Sequence, residues 1–225
     1  MHRFHDRIDA GRQLAVALED QAAAQPLILA LPRGGVPVAY EVAKHLGAPL
    51  DVWVVRKIGL PWHPEVGVGA VAEDGVVHLN HDILNSVVLD DAVLQAAIAN
   101  QRREVEERVR KFRAGRPQPN LSGQTVLVVD DGIATGGTVR AAIASIRAQR
   151  PKRIVLAVPV AAAATVRVLE TEVDELVCLR KPHDLYAIGV WYEDFAQVPD
   201  EQVVRLLESA SAAPPRVPPG SPSAR

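Results

Sequence analysis

The stretch VLVVDDGIATGGTVRAAIASI, Val126 to Ile146, decides the reading of this chain. It opens on a Val-rich strand, apolar on both faces, the pattern of a strand inside a parallel sheet covered by helices. The strand ends in two adjacent carboxylates, Asp130 and Asp131, and a small-residue loop from Gly132 to Thr138 leads into a helix. Ligands of such sheets sit beyond the carboxyl ends of the strands. The loop glycines let main-chain N–H groups approach an anion closely, and the helix N-terminus adds partial positive charge. Thr135 and Thr138 can add hydroxyl donors. The acids repel a bare phosphate but suit a metal ion or a pair of sugar hydroxyls. A ligand with phosphate at one end and polyol at the other satisfies both halves, which describes a phosphorylated ribose. An N-capped helix after a buried strand would account for Thr135 or Thr138 alone. It would not need two acids, three glycines and two threonines within nine positions.

Outward from this run, strands and helices alternate. The pattern predicts a helix over 7–19, a strand over 26–31, a helix over 35–46 closed by Gly47, and a strand over 50–58. A hairpin over 66–72 and 76–79 turns at Asp74-Gly75. A long charged helix over 90–113 precedes the Val126 strand, its charges read as a solvated face. Strand 153–160, helix 161–169 and strand 175–179 follow. Repeated strand–helix–strand units with short loops predict an α/β fold, a doubly wound, mostly parallel sheet with a small hood or flap region. The expected organisation is one domain over 1–209, with a lid hairpin over about 59–80 and hood segments over about 181–195. The Pro-, Ser- and Ala-rich remainder, 210–225, is expected to be a disordered tail.

The chain has 225 residues, 48% of them hydrophobic, enough to bury a substantial core. A formal charge of -2 gives no electrostatic footprint for nucleic acid or an anionic membrane. Its single cysteine, Cys178, lies in the apolar LVCLR run and reads as core packing in a reducing compartment. No apolar run approaches membrane-spanning length and the first residues form no apolar signal core, so cytoplasm is expected.

A second strand–helix junction, Leu31-Pro32-Arg33-Gly34-Gly35-Val36, again places glycines at the turn and suggests another anion site, although a plain tight connection also uses glycine. Arg56-Lys57 closes the next strand, at the same sheet edge, where cations can neutralise charge on a departing anion. The segment Gly59-Leu60-Pro61-Trp62-His63-Pro64-Glu65 suits a mobile cover that excludes water. In it, His63 and Glu65 are candidate acid–base or substrate contacts.

The nine residues Asp130 to Thr138 resemble the phosphoribosyl diphosphate (PRPP) motif of the type I phosphoribosyltransferases. The resemblance implies that Asp130 and Asp131 hold the ribose hydroxyls and Ala134, Thr135, Gly136, Gly137 and Thr138 wrap the 5-phosphate. It implies that Arg33, Gly34 and Gly35, with Arg56 and Lys57, receive diphosphate, and that Asp130, Asp131, Arg33 and Lys57 carry catalysis. The run from Lys181 to Asp194 is similar to the base-binding end of the hypoxanthine-guanine enzymes. By position, Tyr186 stacks on a flat heterocyclic acceptor beside Ile188, and Glu193 or Asp194 joins Asp130 and Asp131 near Mg²⁺. Packing of Tyr186, Trp191 and Tyr192 on an edge strand is the competing reading. The expected partners are PRPP, a heterocyclic acceptor and a second copy in a homo-dimer, with neither nucleic acid nor membrane.

Two departures bear on the acceptor. Ala134 stands where the hypoxanthine-guanine enzymes have an acid and the adenine and uracil enzymes have alanine. The region Ala157-Val158-Pro159-Val160-Ala161 lacks the lysine with which the hypoxanthine-guanine enzymes read a 6-oxo group. The chain is most similar to a bacterial group of phosphoribosyltransferases of unassigned acceptor, sharing Phe4 to Arg7, LPRGGV, VRK and His-Pro-Glu. The implied reaction is Mg²⁺-assisted displacement of diphosphate from PRPP by a nitrogen nucleophile, through an oxocarbenium-like state. A PRPP- or nucleotide-sensing regulator without turnover is the alternative. A dinucleotide-binding protein comes third, since Gly34-Gly35 lacks that glycine pattern.

Overall fold

The structure, a computed structural model, describes residues 3–60 and 62–212. Its centre is a parallel sheet in the order β2-β1-β6-β7-β8, formed by Leu50–Val52, Leu27–Ala30, Thr125–Val129, Arg153–Val160 and Glu175–Arg180. Residues of β1 and β6 are buried throughout, which is why these strands read as continuous apolar runs rather than alternating ones. The order reverses between β1 and β6. From β1 the chain passes through α2 (Gly35–Leu46) to β2 on one side; from β6 it passes through α5 (Gly137–Ala148) to β7 on the other. The carboxyl ends of these two strands are the switch point, the place where open α/β sheets bind ligands.

Alternate side chains sort into two cores. Ile28, Ala30, Leu127 and Val129 face the layer holding α1 (Arg7–Ala17), α2 and α7 (Asp200–Ala212). Leu29, Val126, Val128 and Leu156 face α5 and α6 (Ala163–Leu169), with Cys178 half-buried at their margin. Within the second core the Trp53 indole N–H donates to Ser145 Oγ at 3.1 Å, and both residues are fully buried. Ser145→Ala would leave that donor with no partner, so thermal unfolding of the variant should show a loss of about 1–3 kcal/mol.

The predicted strand over 50–58 is corrected here. The chain leaves the central sheet after β2, and β3 (Val55–Leu60) starts a separate antiparallel sheet with β4 (His63–Ala72) and β5 (Val77–Leu79). Burial of Trp53 and Val54 at the junction fixes the switch. The hairpin turn at Glu73-Asp74-Gly75 forms as expected, with Gly75 at φ 81° and Ala72 bonded to Val76. The proposed cover is the other hairpin of this sheet: Leu60 pairs with His63, and Trp62 is exposed at the tip.

The long charged helix is α4 (Asp91–Arg113), preceded by α3 (His81–Asn85). Ile98, Val105 and Phe112, spaced by seven, are the buried stripe that docks α4 on β3 and β4; the flanks are solvated. Its last residue, Arg113, is buried against Asp51 (3.3 Å), Glu73 (2.6 Å) and the Val52 carbonyl (2.8 Å), tying α4 to both sheets. Helix α7, which the sequence reading does not place, continues to Ala212, past the expected boundary at 209. The rest of the expected tail, 213–225, lies outside the described residues. Among the described residues no helix is long and apolar enough to cross a membrane.

Candidate functional site

Both glycine-bearing loops leave the sheet side by side, because β1 and β6 are neighbours in register and Leu31 N–H bonds to the Val129 carbonyl at 2.9 Å. Gly34 and Gly35 then press against the paired acids. A Cβ on Gly34 would lie 2.0 Å from Asp131 Oδ2, and one on Gly35 2.7 Å from the Val129 carbonyl oxygen. Only residues without a Cβ allow the two loops to close into one site. The Pro32–Arg33 peptide at this turn is cis.

Asp131 is 7% exposed and Asp130 half-buried. Burial, reinforced by the charge of Asp131, pushes the Asp130 carboxyl well above the usual carboxylate range. Burial also raises Asp131, but there the Arg7 guanidinium, whose Nε donates to Oδ2 at 2.8 Å, opposes it. Ionisation of the pair is therefore biased toward Asp131. The Tyr192 hydroxyl donates to the Asp131 carbonyl at 2.5 Å, and burial holds that phenol in its neutral, donating form.

The following loop is pinned to the end of β7. Ile133 N–H donates to the Val160 carbonyl, Ala162 N–H to the Ile133 carbonyl, and Thr165 Oγ1 to the Ala134 carbonyl. Gly136 takes a left-handed φ of 78° at the N-cap of α5, a conformation that favours glycine. Beyond it, Thr135, Gly137 and Thr138 line a cavity of about 490 Å³ roofed by the antiparallel sheet, with Lys57, Gly67, Gly69 and His78 on the opposite wall. Lys57 thus shares a cavity with the Thr135-to-Thr138 loop. Arg33 points the other way, into a cleft of about 260 Å³ beside α7, where its guanidinium lies 3.5 Å from Asp200. Lys111 also pairs with Asp200, at 2.8 Å, and Arg56 pairs with Glu104 on the same stripe of α4.

The model of the phosphoribosyl transferase domain matches residues 2–193. The chain belongs to the phosphoribosyl transferase domain family. Two Mycobacterium tuberculosis proteins, from strains CDC 1551 and H37Rv and each named "Putative phosphoribosyl transferase", are 46% identical over 210 residues, covering 93% of this chain and 47% of theirs. The chain spans about half the length of these curated relatives. The crystal structure of TT1426 from Thermus thermophilus shares 42% identity and a TM-score of 0.79, covering 92% of this chain and 98% of that one.

The hood segment of this phosphoribosyl transferase domain is no edge strand. Ile188–Trp191 forms one 3₁₀ turn, and Ile188 packs onto Gly132, where a Cβ would stand 2.6 Å from Ile188 Cγ2. Ile188 is thereby beside the loop, whereas Tyr186 is 92% exposed. Glu193 accepts from His5 Nδ1 at 3.0 Å, and the Asp194 carboxylate accepts from Ala196 N–H. His63 is exposed on the β3–β4 hairpin; the side chain of Glu65 lies outside the described residues. Sequence reasoning missed Arg7 and Tyr192 as partners of Asp131, and Phe195 as the ring packed against both of them. The only signal was the shared Phe4-to-Arg7 opening, which carried no role.

Proposed function

We propose that this domain transfers the 5-phosphoribosyl group from PRPP to a nitrogen of a flat heterocycle, releasing diphosphate. The observation that carries the proposal is the closure of the Arg33–Gly35 loop onto Asp130 and Asp131 at the switch point, beside a threonine-lined helix N-terminus. Asp130 and Asp131 accept ribose hydroxyls. The amides and hydroxyls from Ala134 to Thr138 hold the 5-phosphate, helped by the partial positive charge of α5. Lys57, on the wall of the threonine-lined cavity, compensates the charge of the leaving diphosphate; Arg33 and Arg56, paired with Asp200 and Glu104, would join it only by leaving those partners. Ile188 and Tyr186 border the acceptor, with His63 and Glu65 on the cover that excludes water.

Mg²⁺ fits these residues. Among the described residues no group of three or more His, Cys, Asp or Glu side chains converges. Mg²⁺ held by one or two carboxylates together with substrate phosphates needs no such group. Asp130 and Asp131 are the carboxylates that would hold it; Glu193, bonded to His5, and Asp194, bonded to Ala196 N–H, do not converge with them. Bound there, the ion supplies positive charge for diphosphate.

The test is diphosphate release from PRPP with Mg²⁺ across a panel of nucleobases and other heterocycles. Release that depends on one acceptor supports the transferase, and tight PRPP binding without release across the panel supports the sensing alternative. Asp131→Asn and Thr138→Ala should each weaken PRPP binding by about 1–3 kcal/mol, the scale for hydrogen bonds to charged or buried groups. Unchanged affinity in both would remove the site assignment.

A further inference from the structure

The N-terminal segment holds Asp131 from behind. Phe4 N–H donates to the Trp191 carbonyl, Glu193 N–H to the Phe4 carbonyl and Asp194 N–H to the His5 carbonyl, so residues 4–5 are zipped to the hood. Rings continue the contact: Phe4 lies 5.4 Å from Tyr192, and Tyr192 4.9 Å from Phe195. The zip delivers Arg7, whose guanidinium lies 3.8 Å over the Phe195 ring and donates to the Ala196 carbonyl and to Asp131 Oδ2, each at 2.8 Å. Both partners of the ion pair are nearly buried, at 12% and 10% side-chain exposure.

Arg7 is also the first residue of α1, where the helix dipole disfavours a cation. Local preference argues against arginine there, and Asp131 supplies the compensation. The same aromatic unit holds the acid twice, through Arg7 at the carboxylate and through the Tyr192 hydroxyl at the carbonyl.

We propose that Arg7 is a positioning residue for the ribose site: by engaging Oδ2 it fixes the orientation in which the Asp131 carboxylate meets a ribose hydroxyl. The proposal rests on the reading of Asp130 and Asp131 as ribose-binding acids.

A double-mutant cycle with Arg7→Gln and Asp131→Asn tests it, reading PRPP affinity by calorimetry and the thermal midpoint of every variant. Arg7→Gln should weaken PRPP binding about tenfold or more, the scale for a lost charge-assisted hydrogen bond. In the Asp131→Asn background it should add almost nothing. Arg7→Lys should keep most of the affinity. Should Arg7→Gln alone fail to fold, recovery of a cooperative transition in the double variant reports the same coupling, because both members of the pair are then gone. Equal losses from Arg7→Gln in both backgrounds, or no loss in either, would overturn the proposal. Absence of PRPP binding in the unmodified chain would count against the ribose reading instead. The Arg7–Asp131 coupling is then still read from the midpoints, and additivity there overturns the positioning role by itself.

Discussion

A Gly34→Ala chain is expected to lose PRPP binding by about one to two orders of magnitude and stability by about 1–3 kcal/mol, the cost of forcing extra volume into a packed site. The backbone is not the obstacle, since Gly34 has φ -60° and ψ -35°, which alanine adopts freely. The obstacle is Asp131: the added Cβ would stand 2.0 Å from Oδ2 and 2.6 Å from Cγ. Asp131 cannot swing aside cheaply, because Arg7 holds its carboxylate and Tyr192 its carbonyl. Either the two loops part or the acid breaks its ion pair, and both outcomes disassemble the site. Gly137→Ala is the control for folding, because a Cβ there meets nothing within 4 Å. Thermal denaturation and PRPP titration check both variants. Wild-type stability and affinity in Gly34→Ala would mean that Asp131 is not fixed where the loops meet.

Arg113→Leu should destabilise the fold by about 3–5 kcal/mol, the usual result of removing one partner from a buried ionic cluster. Glu73 and Asp51, 1% and 11% exposed, would be left facing each other without their cation. The effect should also depend on pH. Burial raises the Glu73 carboxyl from its ordinary 4.5 to about 7, against the opposing pull of Arg113 and the Val54 N–H. Between those values the folded chain binds more protons than the unfolded one, so stability falls as pH rises through that window. Below it both states are protonated and Glu73 contributes nothing; above it the burial penalty is complete, with a ceiling of about 3 kcal/mol. Glu73→Gln should therefore gain on the unmodified chain more at pH 8 than at pH 5 in thermal unfolding. A difference independent of pH would mean that Glu73 is equally ionised in the folded and unfolded chain. Loss of Arg113 should raise Glu73 further and be most damaging at alkaline pH.

Local sequence carried the strand–loop–helix from Val126 to Ile146 because strand, acids, glycines and threonines lie within one supersecondary unit, whose geometry short-range rules dictate. The break between β2 and β3 was hidden for a different reason. Leu50 to Ile58 is apolar enough to satisfy either sheet, and only the burial of Trp53 beneath Ser145 of α5 decides where the chain changes sheet. Arg33 shows the same limit: its loop was legible, but its pairing with Asp200 depends on α7, far along the chain. Arg7 and Tyr192 act on Asp131 across 124 and 61 positions, a separation no periodicity reports. The paired acids were visible in sequence, while Arg7 and Tyr192 reach Asp131 only through tertiary packing.

On the proposed reading, the Asp130-to-Thr138 loop and the Arg33-to-Gly35 loop form one PRPP site. Calorimetric titration of PRPP with Mg²⁺ into the chain and into its Asp131→Asn variant tests it most directly. One saturable site per chain is expected, markedly weakened in the variant. No binding to the unmodified chain, or equal binding to both, would contradict it.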